Sequence, residues 1–449
     1  MTEYLPDYLI QGERARLFPV LSVTSHEGRA TSVLLSCIAR IHEFGAVLLS
    51  DLGQRIGSRA QVDAYTEIVL KKDKAGSGDR PDGLLVVRVG KREWRVLIEA
   101  KIGNATVRAE QVERYRVLAK EVGIDCVLTI SNQFATTPNR HPDPEIRKSK
   151  SKVPVFHWSW MHVLTAADLL LSQGEVADPD QEVLLNELRR FLSHESTGVK
   201  GFTRMPKAWS DLNKLVSTGG VIPQKSEEAL EVVGAWHQET RDLTLILSRL
   251  TETFVTERMP KKHMRDPCLR QKAELARLRE TYALESEIVI PDAAAPLRIS
   301  CDLRRRTIDV GLQLRAPDDR RSTKARVNWL LRQLSGEVPE DTFVRLLWPG
   351  TSEATIHSVS ALKENVDLAS EGKEHLTVHS FEVFLSRRIG ARFAQQVNFI
   401  SDLEQFVPDF YRTVGSKLVA WKKKPPKIKD ETGPADVSTD AISLEAEAF

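Results

Sequence analysis

Apolar residues fall along this chain in short blocks whose spacing switches between a period near 3.6 and a period of two. That alternation of helices and strands is expected of an α/β protein. Residues 1–25 are mixed and broken at Pro6 and Pro19, with a short extended piece predicted over 17–23. From 27 to 50, Val33, Leu34, Ile38, Ile41, Val47 and Leu48 mark one helical stripe suited to packing on a sheet, and Gly53 supplies a stop. Residues 62–72 read equally as the end of a helix or as a first strand. The tract 73–79 carries two glycines and no large apolar residue, hence a loop. Two strands follow at 84–89 and 94–101, joined by a hairpin turn at Gly90-Lys91-Arg92. Thr106 can cap a helix running to Val122, with Gly123 ending it. A buried strand is predicted at 125–131 and another at 153–158. The polar loop between them holds Arg140, His141, Arg147, Lys148, Lys150 and Lys152. Helices are expected over 159–172 and 178–193.

The second half opens on a turn-rich stretch, 198–220, which reads as a hinge. A long helix over 226–253 follows, with Glu227 and Glu228 at its start, where the helix dipole favours acids. Its stripe of Val232, Trp236, Leu243 and Ile246 suits a core, an interhelical seam or a homodimer contact. Strands are predicted at 283–290, 297–303, 307–314 and 343–348, a helix at 326–334, and a helical stretch over 384–421 broken near Pro408. At 449 residues the chain exceeds what one core usually holds. The expected division is an N-terminal arm and helix packing on the core (1–56), an α/β core (57–175), a helical connector (176–260), an α+β accessory domain (261–421) and a disordered tail (422–449).

The candidate chemistry lies in the hairpin. Pro81-Asp82-Gly83 opens its first strand, and the second ends in Glu99-Ala100-Lys101. Residues two apart in a strand share a face and lie about 6–7 Å apart, so Glu99 and Lys101 point the same way. The hairpin folds Asp82 beside them. Two carboxylates and an ammonium at one end of a sheet suit a hard divalent cation. Such an ion generates a hydroxide-like nucleophile and neutralises a phosphate, while the lysine orients water or stabilises developing charge.

This pattern resembles the PD-(D/E)XK nuclease superfamily. Gln111 and Tyr115, four apart on the following helix, are similar to the Q-x-x-x-Y element of its RecB-like branches, and Glu67 stands where many members carry a further acid. The resemblance covers roughly 57–175. It implies a restriction-endonuclease-like mixed sheet flanked by helices. It also implies Mg²⁺, replaceable by Mn²⁺, held by Asp82, Glu99 and the Ala100 carbonyl. Lys101 would position the water, Glu67 would add an acid, and Gln111 and Tyr115 would steady the lysine or the substrate phosphate. The implied reaction is phosphodiester hydrolysis, of DNA rather than RNA, in bacterial defence, repair or stress response. The alternative is a catalytically inactive relative of that fold serving as a nucleic-acid-binding or assembly scaffold.

Composition adds bounds. The net charge of +2 argues neither for nor against nucleic acid. Cys37, Cys126, Cys268 and Cys301 stand far apart without C-x-x-C spacing, so neither structural zinc nor a disulfide framework is expected, and the chain reads as a reduced, cytoplasmic protein. No run of about 18 apolar residues and no signal pattern occurs, so membrane insertion is not expected. There is no P-loop, no G-x-G-x-x-G after a strand and no helicase-type motif. Two basic clusters, residues 258–272 and the set Arg304, Arg305, Arg306, Arg315, Arg320, Arg321 and Lys324, would form a phosphate-tracking surface if they shared a face. Otherwise they are solvated hairpin turns.

Overall fold

A computed structural model describes residues 5–19, 21, 25–57, 59–71 and 80–423. The fold is mixed α/β with two sheets. The first contains β1 (Leu9–Arg14), β2 (Gln61–Leu70), β3 (Gly83–Val89), β4 (Arg92–Ala100), β5 (Cys126–Ser131) and β6 (Val155–Ser159), laid side by side in chain order. β1 to β4 run antiparallel, and β4, β5 and β6 are parallel. Helices α1 (His26–Arg40), α2 (His42–Ser50), α5 (Trp160–Ser172) and α6 (Pro179–Ser193) cover one face; α3 (Ala109–Val122) and α4 (Pro144–Lys148) cover the other. Sheets buried on both sides read as continuous apolar runs. β3 shows this: Leu85 and Val87 face the α1 side, Leu84 and Val86 the α3 side.

Several expectations change here. The N-terminal strand lies at Leu9–Arg14; of the extended piece predicted over 17–23, residues 20, 22 and 23 lie outside the described residues. Only Leu9 of the observed strand is buried, so it left no apolar signal. The ambiguous 62–72 segment is strand as far as Leu70. The helix expected over 27–50 is two helices bent by 106°, because Ile41 is extended (φ −102°, ψ 104°). Gly45 permits the elbow: a Cβ there would lie 2.5 Å from the Ile38 carbonyl oxygen. α3 starts at Ala109 with no side-chain cap, three residues after Thr106, and ends at Gly123 in the left-handed conformation, as expected. The predicted loop at 73–79 and the tail beyond 423 lie outside the described residues.

The second sheet is antiparallel throughout, in the order β12-β11-β13-β10-β9-β8-β7. Its strands are β7 (Thr256–Glu257), β8 (Ala283–Val289), β9 (Leu297–Asp302), β10 (Thr307–Arg315), β11 (Thr342–Leu347), β12 (Thr355–Ser358) and β13 (Ser380–Arg388). Around it lie α7 (Lys207–Ser217), α8 (Glu227–Thr251), α9 (Lys261–Arg265), α10 (Pro267–Thr281), α11 (Thr323–Gln333), α12 (Val359–Glu364) and α13 (Gln396–Thr413). The stretch expected to be a hinge contains α7, whose buried Trp209 donates its indole N–H to the Phe393 carbonyl at 2.8 Å. The expected connector is shared between two cores: α6 belongs to the first, α7 and α8 to the second. α8 also grips the first half, with Arg249 donating to Thr165 Oγ1 (2.8 Å) and Gln238 accepting from the Phe134 N–H (3.1 Å). Residues 384–388 end β13 rather than starting a helix, since Phe381, Val383 and Leu385 alternate into the core. Pro408 sits inside α13 without ending it.

Among the described residues no single helix is long and apolar enough to cross a membrane. The four cysteines are free thiols, with only Cys268 exposed.

Candidate active site

The hairpin predicted from sequence forms with Val89 opposite Arg92 and Gly83 opposite Ile98, placing Asp82 beside the end of β4. Asp82 Oδ2 accepts the Ala100 N–H at 2.7 Å, which pins its carboxylate against the strand. Glu99 is 1% exposed and nearly saturated with donors. Its Oε1 accepts from Gln111 Nε2 (2.8 Å) and the Lys101 ammonium (2.7 Å), and its Oε2 accepts the Tyr115 hydroxyl at 2.9 Å. Gln111 also donates to the Tyr115 oxygen at 2.9 Å. These two side chains share a face of α3 because they are one helical turn apart. They therefore orient Glu99 rather than the lysine.

Lys101 continues the parallel ladder, its N–H donating to the Ile130 carbonyl at 2.7 Å. Its own carbonyl accepts the indole N–H of buried Trp160 at 2.9 Å, so α5 fixes where the side chain departs. The ammonium donates to Glu99, to the Ala100 carbonyl (3.1 Å) and to Glu27 Oε2 (3.2 Å). Glu27 comes from the first turn of α1 and escaped the sequence reading. Only its place at a helix start was legible, and nothing in the spacing links it to residues more than seventy positions away. Glu67 does not join the site: it is exposed, stands at a register shift between β1 and β2 with φ of 51°, and among the described residues makes no hydrogen bond or ion pair to the cluster. The bulge turns its side chain out of the pleat.

Two carboxylates, Glu99 and Glu27, therefore meet one ammonium, and Asp82 lies near enough to feel the charge of all three. Burial, then the charge of Glu99, pushes Asp82 up to about 7, although the Ala100 N–H and Lys101 oppose the rise. Burial alone would depress Lys101, but the bond to Glu99 and the charges of Glu99, Asp82 and Glu27 outweigh it and hold the ammonium above its ordinary value. Tyr115 is driven far up, by burial first and Glu99 second, so it serves as a donor and never as a base. The negative excess and hard oxygen donors fit a divalent cation. Among the described residues no group of three or more His, Cys, Asp or Glu side chains is arranged to hold a metal ion; a cation here would draw on Asp82, Glu99 and Glu27, and on the second lone pair of the Ala100 carbonyl, whose other contact is Lys101.

This chain finds no counterpart by likeness. No family model, no curated protein and no solved structure matches it. The site must be read from its own geometry.

Within the predicted basic clusters Arg258, Arg270, Arg315 and Lys324 are paired with carboxylates, as are the neighbouring Arg277, Arg298 and Arg345. Arg258 and Arg298 both reach Glu287 (3.4 and 3.0 Å), Arg277 reaches Glu285 (3.0 Å), and buried Arg270 binds Glu257 and Glu274 (2.5 and 2.7 Å). Arg345 pairs with Glu382, Arg315 with Asp318 (2.6 Å) and Lys324 with Asp367 (2.7 Å). The groove of about 750 Å³ on this sheet, which Arg258, Arg277, Arg298 and Arg345 line, is thus balanced by Glu257, Glu274, Glu285, Glu287, Asp309 and Glu382. Arg298 with Glu287 and Arg345 with Glu382 are cross-strand partners, the kind of opposite-charge pairing that stabilises a sheet.

Proposed function

We propose that this protein is a metal-dependent nuclease of restriction-endonuclease-like fold, acting on the phosphodiester bonds of DNA. The observation that carries the reading is the convergence of Asp82, Glu99 and Lys101 at one sheet end, with Gln111 and Tyr115 both spent on orienting Glu99. A salt bridge placed for stability alone does not need a buried and a half-buried carboxylate beside one ammonium, because removing charge from water without a partner is costly.

In this reading Asp82, Glu99 and Glu27 would hold a Mg²⁺ ion, which when bound would supply charge neutralisation and an acidified water. Gln111 and Tyr115 keep Glu99 facing the site. Lys101 stays protonated at neutral pH. All three of its N–H groups are occupied, by Glu99, Glu27 and the Ala100 carbonyl. Were Glu27 drawn to such an ion, one of these N–H groups would be free to point at the attacking water or at a phosphoryl oxygen. Trp160 fixes the backbone from which this ammonium swings.

The test is cleavage of plasmid, linear duplex, single-stranded DNA and RNA by the purified protein with Mg²⁺ or Mn²⁺, set beside Lys101→Ala. Cleavage by the wild type, lost in the variant while DNA binding persists, supports the enzyme. A wild-type protein that cuts none of these substrates supports the scaffold.

A further inference from the structure

A second cluster lies apart from the carboxylates, where the loop bearing α4 meets α3 on one side and α9 on the other. There a cleft of about 450 Å³ is lined by Arg116, Arg140, His141, Arg147 and Arg265. Unlike the arginines of the second sheet, these have little compensation. Arg147 spends one amino group on the carbonyls of His141 and Pro142 (2.6 and 2.7 Å), and the polar contact of Arg140 is Cys268 Sγ at 3.9 Å. Among the described residues, Arg140, Arg147 and Arg265 have no carboxylate within ion-pair distance. Arg116, 7% exposed, reaches only the exposed Glu113 at 3.3 Å and the Ile146 carbonyl at 3.4 Å.

Two buried donors are left over. The Nε of Arg116 has no partner. His141 is 2% exposed, and its Nδ1 accepts the Asp143 N–H at 3.0 Å. A neutral imidazole with one nitrogen accepting carries its hydrogen on the other, so Nε2–H is a donor, and it too is unpartnered. Burial, with the neighbouring His157, Arg147 and Arg116, holds His141 far below its ordinary value, so it remains a neutral donor. A buried donor without a partner is costly, and four guanidinium groups repel one another. Both penalties vanish together if an anion with several acceptor oxygens enters.

We propose that this cleft is a phosphate-receiving site, in which Arg116, Arg140, Arg147 and Arg265 surround a phosphate group and the orphan N–H groups of His141 and Arg116 complete its hydrogen bonds. Guanidinium forks suit phosphate geometry better than a point charge does. The proposal does not depend on the nuclease reading, because it involves none of the carboxylates and no metal.

The experiment is calorimetric titration of the full chain, without divalent metal and at constant ionic strength, with inorganic phosphate and with a nucleoside 5′-monophosphate. Arg140→Gln and Arg265→Gln are compared with the wild type. Both replaced residues sit at the rim, so folding, checked by circular dichroism, is expected to be unchanged. Saturable binding by the wild type, weakened about tenfold or more in each variant, is the expected result. An oligonucleotide without terminal phosphates then separates the sources. Competition with inorganic phosphate identifies the guest as a nucleic-acid backbone group; no competition identifies a free phosphate compound. Either result keeps the site. The proposal is overturned if phosphate binds no better than chloride, or binds the variants as well as the wild type.

Discussion

The ammonium of Lys101 lies 3.2 Å from the carboxylate of Glu27, a contact that ties α1 to the end of β4 across 74 residues of chain. Glu27 Oε1 also accepts the Ile102 N–H at 3.4 Å. In the proposed enzyme this acid would support both the lysine and the cation, so Glu27→Gln should lower cleavage about 10–100-fold, the usual cost of losing a metal-supporting group. Stability should change little, since Glu27 is partly exposed. A metal titration of the rate checks the assignment: the variant should need more Mg²⁺ for half-maximal activity. A variant with an unchanged Mg²⁺ requirement would remove Glu27 from the ion.

Asp82 trades stability for the site. Its folded-state pKa, about 7, is raised above the ordinary 3.8 by burial and by Glu99. The unfolded chain therefore releases this proton at lower pH than the folded one does. Folding is penalised progressively as pH rises from about 4 to 7, and fully above that. Asp82→Asn should accordingly raise the melting temperature at pH 8, with the gain shrinking as pH falls through 7 towards 4. Mg²⁺ should stabilise the wild type at pH 8 and leave the variant nearly unaffected, which differential scanning calorimetry would read directly.

His157 gives the opposite pH dependence. It is 1% exposed, with Nδ1 2.8 Å from Thr129 Oγ1 and Nε2 2.9 Å from the Gln133 carbonyl. Burial lowers its pKa to about 4 from 6.5, although the bond to the Gln133 carbonyl opposes this. The unfolded chain binds the proton more readily, so the stabilising effect is present in full above pH 6.5 and lost as pH falls towards 4. The difference corresponds to about 3 kcal/mol. Urea unfolding of the wild type should weaken across that window. In His157→Gln the slope there should flatten, and stability at pH 7.5 should drop.

The legible parts of the molecule are those in which local pattern and tertiary role coincide. Gly90 at a two-residue turn, the Gly123 helix stop and the buried β3 run all obey their own short-range chemistry, so the hairpin that carries Asp82, Glu99 and Lys101 could be read directly. Glu27 could not, because its partners are set by how α1 lies on the sheet. Glu67 misled because a bulge in β2 reverses which side a strand residue faces, and a bulge leaves no mark in a period-two pattern. The elbow at Ile41 hid inside a stripe that remained apolar on both sides of it. β13 was lost among aromatic residues that suit a helix or a strand equally well.

Gly83 links fold and site, and it can be tested. A Cβ there would lie 2.5 Å from Leu35 Cδ1 of α1 and 3.2 Å from the Tyr65 carbonyl oxygen. Only glycine lets α1 settle this closely on β3, beside Asp82. Gly83→Ala should push Leu35 off its place and cost about 1–3 kcal/mol, the usual penalty of overpacking. Because α1 also delivers Glu27, the displacement should raise the Mg²⁺ requirement of the proposed activity even in the fraction that remains folded. Pairing the change with Leu35→Ala relieves the clash. If the double variant regains both stability and the wild-type Mg²⁺ requirement, the fit of the helix on the strand governs the acid's position. If it regains stability alone, Glu27 is placed by something other than this contact.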